Sequence, residues 1–123
     1  ALSDWDGKAN SEVLKNVLSG GQSQNSHPTI GCMLNAFIDS SDAKGLDDWY
    51  IPSCAQLALI FMNLYSVDNA LSAIGGLQIG NDKVYWSSSE RNTEEAWNLS
   101  TKYLHVSYDN KNMGAMVRFI RDI

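Results

Sequence analysis

The spacing of apolar residues changes from helical to alternating near residue 84, and this change constrains the fold more than any other feature. Residues 13–18 and 57–64 carry apolar side chains three or four positions apart, as amphipathic helices do. Residues 104–108 (LHVSY) instead alternate apolar with polar side chains, as half-buried strands do. Helices followed by an antiparallel sheet indicate the α+β class, with the helices packed on a small twisted sheet.

Local signals in the first half predict where the helices begin and end. We expect the first helix to follow an N-cap at Asn10 or Ser11 and to end at the glycines of 20–21. A second helix is expected to begin near Pro28, because proline is well tolerated in a first helical turn.

The middle of the chain predicts further helices, and the last third predicts strands. Ser53 and Gln56 form a capping box for a third helix, and a fourth helical segment is expected over 68–74. Four strands are expected at 84–88, 96–100, 104–108 and 115–121.

Size and charge exclude several classes of protein. The 123 residues fit one domain, 1–123, and we interpret it as a fragment of a larger protein because it begins at Ala1 without a methionine. The net charge of -5 argues against nucleic acid as a partner. No apolar run approaches the roughly 18–20 residues that span a bilayer, so no membrane insertion is expected.

The two cysteines leave two alternatives open. Cys32 and Cys54 can form a single disulfide or remain as two buried thiols. We predict the thiols, because both residues fall on expected helices.

No residue set in the chain indicates catalysis or a cofactor. The serines of 87–89 lack the glycines of a nucleophile elbow, and only His27 and His105 are available as a base. Asp4 and Asp6 lack the further carboxylates of a calcium loop. We therefore predict a non-catalytic protein with no cofactor and no metal.

A resemblance to a known family rests on motifs in a fixed order along the chain. They are residues 6–11 (DGKANS), 45–53 (GLDDWYIPS), 85–90 (YWSSSE), 96–97 (AW), and Lys111 followed by 117–121 (VRFIR). These motifs resemble those of a bacterial C-type-lectin-like family. Its members include the C-terminal domain of a collagen-like Legionella adhesin and the retroelement-diversified variable proteins of gut bacteria and phages.

The resemblance implies a C-type-lectin-like fold used as an extracellular binding or adhesion module. Such a module is displayed on a bacterial surface or a phage fibre and binds a protein or glycan receptor. The chain departs from the family at 102–104 (KYL), where a glycine is common in the hairpin. That turn is therefore expected to be built differently.

The polar residues between the fixed motifs are the predicted ligand contacts. Many are residue types that adenine-directed mutation of an asparagine codon produces, which suggests diversification by a retroelement. The predicted contact residues are Arg91, Asn92, Thr93, Glu94, Glu95, Asn98, Tyr103, His105, Tyr108, Asn110, Asn112 and Met113. Tyrosine offers a large contact area at low entropic cost, and binding hot spots are enriched in Tyr and Arg. Tyr103, Tyr108 and Arg91 are therefore the leading anchors, and His105 supports the two tyrosines on one strand face.

Structural roles are predicted for the other conspicuous side chains. Trp86 and Trp97 are expected in the core, because tryptophans beside apolar strand residues are usually buried. Arg118 and Arg121 are expected to pair with carboxylates such as Glu90 or Asp48.

An alternative function is a trimerisation or capping domain of a fibre with no ligand of its own. This alternative predicts a homotrimer with Met113 and Met116 at the contact between subunits.

Overall fold

The computed structural model describes residues 3–18, 30–80, 82–92, 94–102, 104–111 and 113–122. Within these ranges, α-helices come first and strands follow. The helices are α1 (Gly7–Leu18), α2 (Ile30–Ile38), α3 (Cys54–Met62) and α4 (Leu64–Ala73), with a short 3-10 helix at Ser41–Ala43. The strands are β1 (Val84–Glu90), β2 (Glu95–Ser100) and β3 (His105–Asn110), and they form an antiparallel sheet in the order β1-β2-β3. The α+β class is confirmed.

The α1 helix begins earlier than its local sequence suggests. Asp6 caps it, because its Oδ1 accepts a hydrogen bond of 2.9 Å from the N–H three residues on. The predicted N-cap at Asn10 or Ser11 is wrong, since both lie inside the helix and are buried. Ser11 Oγ accepts the Ile51 N–H at 2.8 Å, and Asn10 Nδ2 donates to Ser88 Oγ at 3.2 Å. These polar side chains therefore tie the helix to the rest of the domain.

The capping box of α3 is confirmed. Ser53 Oγ accepts the Gln56 N–H at 3.2 Å, and Gln56 Oε1 accepts the Ser53 N–H at 3.0 Å. The α4 helix begins at Leu64, whereas the prediction began it at 68. The predicted glycine end at 20–21 and the predicted start at Pro28 lie outside the described residues.

The C-terminal segment is not the predicted fourth strand. Met116 forms an isolated parallel bridge with Tyr85, and Ile120 forms an isolated antiparallel bridge with Tyr50. Since the two bridges have different partners and opposite directions, no continuous ladder forms over 115–121. The segment instead runs beside β1 and then joins the stretch that precedes α3.

The apolar core lies between the sheet and the third helix. It consists of Leu57, Phe61, Ile79, Tyr85 and Leu99, each at most 4% exposed. Phe61 and Tyr85 meet edge to face with ring centroids 5.7 Å apart. Burial raises the pKa of Tyr85, whose hydroxyl donates a hydrogen bond of 2.7 Å to the Ile79 carbonyl.

The serines of β1 have a structural role in a polar part of the interior. Ser87 Oγ donates to the Trp97 carbonyl at 2.8 Å. Ser89 Oγ donates to the Ser3 carbonyl at 2.9 Å and accepts the Cys54 N–H at 2.9 Å. Buried polar groups need such partners, so these hydroxyls satisfy backbone groups of β2, of the N-terminal segment and of the first residue of α3.

The predictions for the tryptophans differ in outcome. Trp86 is buried with 6% of its surface exposed, as predicted. Trp97 is only half-buried, so its assignment to the core is wrong in degree. Its ring packs edge to face against Tyr108 of β3, the outer strand of the sheet, and it is not among the residues that form the apolar core.

One of the predicted arginine pairs is confirmed. Arg121 binds Asp48 through two hydrogen bonds of 2.8 Å, and this pairing lowers the pKa of Asp48. Arg118 instead donates to the Leu77 carbonyl at 2.7 Å, and Glu90 pairs with Lys111 at 2.9 Å. The prediction that Arg118 binds a carboxylate is wrong.

A tyrosine links the C-terminal end of the chain to the region around the start of α3. Tyr50 donates a hydrogen bond of 2.7 Å to Asp122 and accepts one of 3.4 Å from Gln56 Nε2. Asp122 also lies 3.7 Å from Lys8. Burial, reinforced by Asp122, raises the pKa of Tyr50 to about 12.

Cys32 and Cys54 form no disulfide, as predicted, but both are half-buried rather than buried. Burial raises the pKa of the Cys54 thiol. None of the helices described is long and apolar enough to cross a bilayer.

Candidate functional site

The loop between β1 and β2 is a tightly hydrogen-bonded turn. Asn92 Oδ1 accepts the N–H groups of Glu94 and Glu95 at 2.9 and 2.8 Å, as in an Asx turn. The Arg91 N–H donates to the Glu95 carbonyl at 2.9 Å. The side chains that start and end this loop are therefore held in fixed positions relative to the sheet.

The Glu95 carboxylate organises the side chains of the loop. Its Oε1 accepts hydrogen bonds from Arg91 Nη1 at 2.7 Å and from Asn92 Nδ2 at 2.8 Å. Arg91 and Glu95 thus form an ion pair at the surface, with side chains 40% and 30% exposed. An exposed pair of this kind contributes little stability, but it restricts where the guanidinium can lie.

The guanidinium of Arg91 lies over an aromatic pair. Its central carbon is 3.8 Å from the centroid of the Tyr108 ring. That ring meets Trp97 edge to face, with centroids 5.4 Å apart and planes at 82°. The strand register explains the contact, because Trp97 and Tyr108 are directly opposite each other on β2 and β3. We call Arg91, Glu95, Trp97 and Tyr108 the Arg91–Tyr108 cluster.

The Arg91–Tyr108 cluster remains open to solvent. Tyr108 is 41% exposed, and Arg91 is also exposed. A guanidinium has five N–H donors, and among the described residues only Glu95 takes one from Arg91. The cluster therefore offers an aromatic ring and several N–H donors in a fixed arrangement.

Charged side chains border the cluster. Lys111 Nζ binds Glu90 Oε1 at 2.9 Å, and the Lys111 N–H donates to the Glu94 carbonyl at 2.8 Å. The Glu94 side chain is exposed and pairs with no group in the described ranges. Two ion pairs, Arg91–Glu95 and Lys111–Glu90, therefore lie at this end of the sheet.

Two predicted contact residues lie on the opposite face of the sheet. Side chains alternate along a strand, so His105 points away from the face of Tyr108, contrary to the prediction that they share it. Asn98 is buried and donates a hydrogen bond of 2.7 Å to Asp109, so its predicted contact role is wrong.

The remaining predicted contacts lie at the edge of the site or outside the described residues. Asn110 is opposite Glu95 in the register, next to the cluster. Met113 is 39% exposed, and its N–H donates to the Asn110 carbonyl at 2.9 Å. Thr93, Tyr103 and Asn112 lie outside the described residues.

Sequence reasoning did not assign Trp97 to the site. The signal was present, because Glu95 and Trp97 are two residues apart on one strand and must share a face. A tryptophan two residues from a predicted contact residue on the same strand is thus a candidate for the contact surface as well as for the core.

The surface also carries an open hollow of about 510 Å³ away from the predicted contacts. Its lining includes Gly75, Leu77, Gly80, Lys83 and Met116, and none of the predicted contact residues contributes to it. Among the described residues, no three His, Cys, Asp or Glu side chains converge to hold a metal ion.

Comparison with known proteins gives no family for the chain. No protein-family model matches it, and no curated protein matches it either.

Proposed function

We propose that this chain is a non-catalytic ligand-binding or adhesion module of C-type-lectin-like fold. It acts outside the cell, on a bacterial surface or a phage fibre, and binds a protein or a glycan. The order of the family-like motifs along the chain supports this proposal, as does the α+β layout with its small antiparallel sheet. The Arg91–Tyr108 cluster is the proposed centre of the contact surface.

The observation that carries the proposal is the Arg91 guanidinium held over the Tyr108 ring. Binding surfaces depend on a few anchors, and these are enriched in Tyr, Trp and Arg. Ordering a long side chain on binding costs free energy. Glu95 and Tyr108 already hold the Arg91 side chain, so less of that cost remains when a ligand binds.

Binding to glycan arrays and to intact bacterial cells tests the proposal. A fluorescently labelled chain is applied to both, and the strongest signals define the ligand for titration. Tyr108→Ala should weaken binding about five- to thirty-fold, equivalent to roughly 1–2 kcal/mol. The matched control is Tyr65→Ala, because Tyr65 is 82% exposed on α4, outside the cluster.

The two variants together separate the possible outcomes. A folded Tyr108→Ala protein that binds as well as the parent would move the site away from the cluster. Equal losses in Tyr108→Ala and Tyr65→Ala would indicate nonspecific adhesion through exposed aromatic rings.

Diversification is tested by sequences of sibling genes from one population. The proposal expects substitutions confined to 91–95, to the exposed side chains of β3 and to 110–113. Substitutions spread evenly over the helices as well would argue against a retroelement.

The alternative of a trimerisation or capping domain is favoured by the exposure of Met113 and Met116, at 39% and 43%. Light scattering after size-exclusion chromatography separates the two functions. A stable trimer that loses its assembly in Met113→Ser and binds none of the arrayed glycans or cells would support the structural role.

A further inference from the structure

The two outer edges of the sheet differ in what covers them. The outer edge of β1 is bonded, because the Trp86 N–H donates to the Met116 carbonyl at 2.8 Å and the Ser88 N–H donates to the Pro52 carbonyl at 2.8 Å. β3 is the other outermost strand and pairs only with β2 in the described structure. An outer strand presents unpaired N–H and C=O groups that can pair with another strand.

The register shows which backbone groups of β3 point outward. The Lys111 N–H donates to the Glu94 carbonyl at 2.8 Å, so Lys111 faces β2. Residues of an antiparallel strand face their neighbour alternately, so His105, Ser107 and Asp109 face β2 too. The N–H and C=O groups of Val106 and Tyr108 therefore point away from the sheet, and neither has a backbone partner among the residues described.

We propose that β3 pairs with β3 of a second copy of this chain, antiparallel and about a two-fold axis at Ser107. Axes at Val106, Ser107 or Tyr108 all pair outward groups of both copies, and the register about Ser107 is distinguished by its side-chain contacts. It places Val106 opposite Tyr108 of the partner subunit, and Tyr108 opposite Val106 of the partner subunit. Each pair exchanges two hydrogen bonds, giving roughly four backbone hydrogen bonds across the axis.

In this register the side chains of β3 are complementary to those of β3 in the partner subunit. This complementarity is the reason to propose a second copy as the partner. His105 faces Asp109 of the partner subunit, and Asp109 faces His105 of the partner subunit, so an acid meets a base twice. Val106 and Tyr108, 45% and 41% exposed, form the aromatic and β-branched pairing that stabilises antiparallel sheets. Ser107 meets its own copy without repulsion.

The strand also lacks the features that usually prevent such pairing. His105–Asn110 contains no proline and no lysine, and its register with β2 is regular over all six residues. Six residues a side make a small interface, so dimers are expected to form in a concentration-dependent manner. The dimer would place two Arg91–Tyr108 clusters on one face of a continuous sheet.

Disulfide trapping tests the register. Ser107→Cys places two thiols in a non-hydrogen-bonded pair, where Cα atoms are about 4.5 Å apart and a disulfide fits. His105→Cys is the matched control, because position 105 faces position 109 of the partner subunit and lies roughly 14 Å from its own copy. Mild oxidation should cross-link Ser107→Cys at least tenfold faster, with the 107–107 disulfide identified by mass spectrometry.

Amide exchange and sedimentation test the association itself. In the wild-type chain, raising the concentration should protect the Val106 and Tyr108 amides from exchange while leaving Ser107 unchanged, since Ser107 already faces β2. Val106→Pro removes an outward N–H at an edge position that tolerates proline, and it should abolish the dimer. Val106→Thr keeps that N–H and should still dimerise.

Several results would overturn the proposal. One is a wild-type chain that stays monomeric at every concentration, together with equal cross-linking of Ser107→Cys and His105→Cys. Another is a wild-type chain that sediments as a trimer. Undiminished association of folded Val106→Pro would place the contact on another surface. Protection of the Val106 amide only when another protein is added would show that β3 pairs with a strand of that protein and not with a second copy.

Discussion

The central guanidinium carbon of Arg91 lies 3.8 Å from the centroid of the Tyr108 ring, and Glu95 holds the same guanidinium from the side. This arrangement couples the β1–β2 loop to β3. A cation over an exposed ring contributes about 0.5–1 kcal/mol.

That coupling is measurable as an interaction free energy. A double-mutant cycle with Arg91→Ala and Tyr108→Ala should give a coupling of about 0.5–1 kcal/mol in the free energy of unfolding. Urea denaturation of the parent, both single variants and the double variant supplies the values. Strictly additive losses would show that the two side chains do not interact in solution.

The two strand tryptophans should differ in their contribution to stability. Trp86→Ala should lower the free energy of unfolding by about 3–5 kcal/mol, because it removes a buried ring. Trp97→Ala should cost about 2 kcal/mol, because its ring is half-buried. Thermal and urea unfolding of both variants compares them, and equal losses would contradict the difference in burial.

Alkaline pH should weaken the domain through Tyr50. Its folded pKa is raised to about 12 from an ordinary value of 10.0, so the stabilisation is complete below pH 10.0 and is lost as pH rises toward 12. At pH 11 the loss attributable to Tyr50 should be about 1 kcal/mol. Urea unfolding at pH 8 and 11 measures it.

The tyrosine variants isolate this effect. Tyr50→Phe should be less stable than the parent at neutral pH but should lose less stability between pH 8 and 11. Tyr65→Phe is the control, since Tyr65 is 82% exposed, and it should follow the parent. Identical alkaline losses in all three proteins would assign the effect to other groups.

Leu104 adopts a left-handed conformation, with φ of 50°. This conformation costs a side-chain-bearing residue about 1–2 kcal/mol, whereas glycine adopts it readily. Leu104→Gly should therefore raise the free energy of unfolding by about 0.5–1 kcal/mol, the gain being reduced by the greater freedom of glycine in the unfolded chain. Lys102→Gly in the same turn is the control and should destabilise, because Lys102 does not have a positive φ. A loss in both variants would show that the packing of Leu104 outweighs its strain.

The parts of the fold that depend on neighbouring residues could be predicted from the sequence. The capping box of Ser53 and Gln56 and the start of β1 at Val84 follow from short-range patterns. The buried roles of Asn10 and Ser11 could not be predicted, because their partners are 78 and 40 residues away in sequence. The same side chain caps a helix in one context and bridges two elements in another.

The candidate site likewise combines features that the sequence predicts with features that depend on residues distant in sequence. Sequence reasoning identified Arg91, Glu95 and Tyr108 as contact residues, but it could not pair them, because pairing depends on the register of β2 and β3. Alternation along β3 separates His105 from Tyr108, and their odd spacing already indicated this in the sequence. Residue types indicate what a surface can bind, and strand alternation decides which of them act together.

The buried polar residues have a consequence for how the domain responds to temperature. They are Asn10, Ser11, Ser53, Ser87, Ser88, Ser89, Asn98 and Thr101. Hydration of polar groups on unfolding lowers the heat-capacity change, whereas hydration of apolar groups raises it. A smaller heat-capacity change broadens the stability curve, so this domain should resist chilling better than a domain of the same length with an entirely apolar interior.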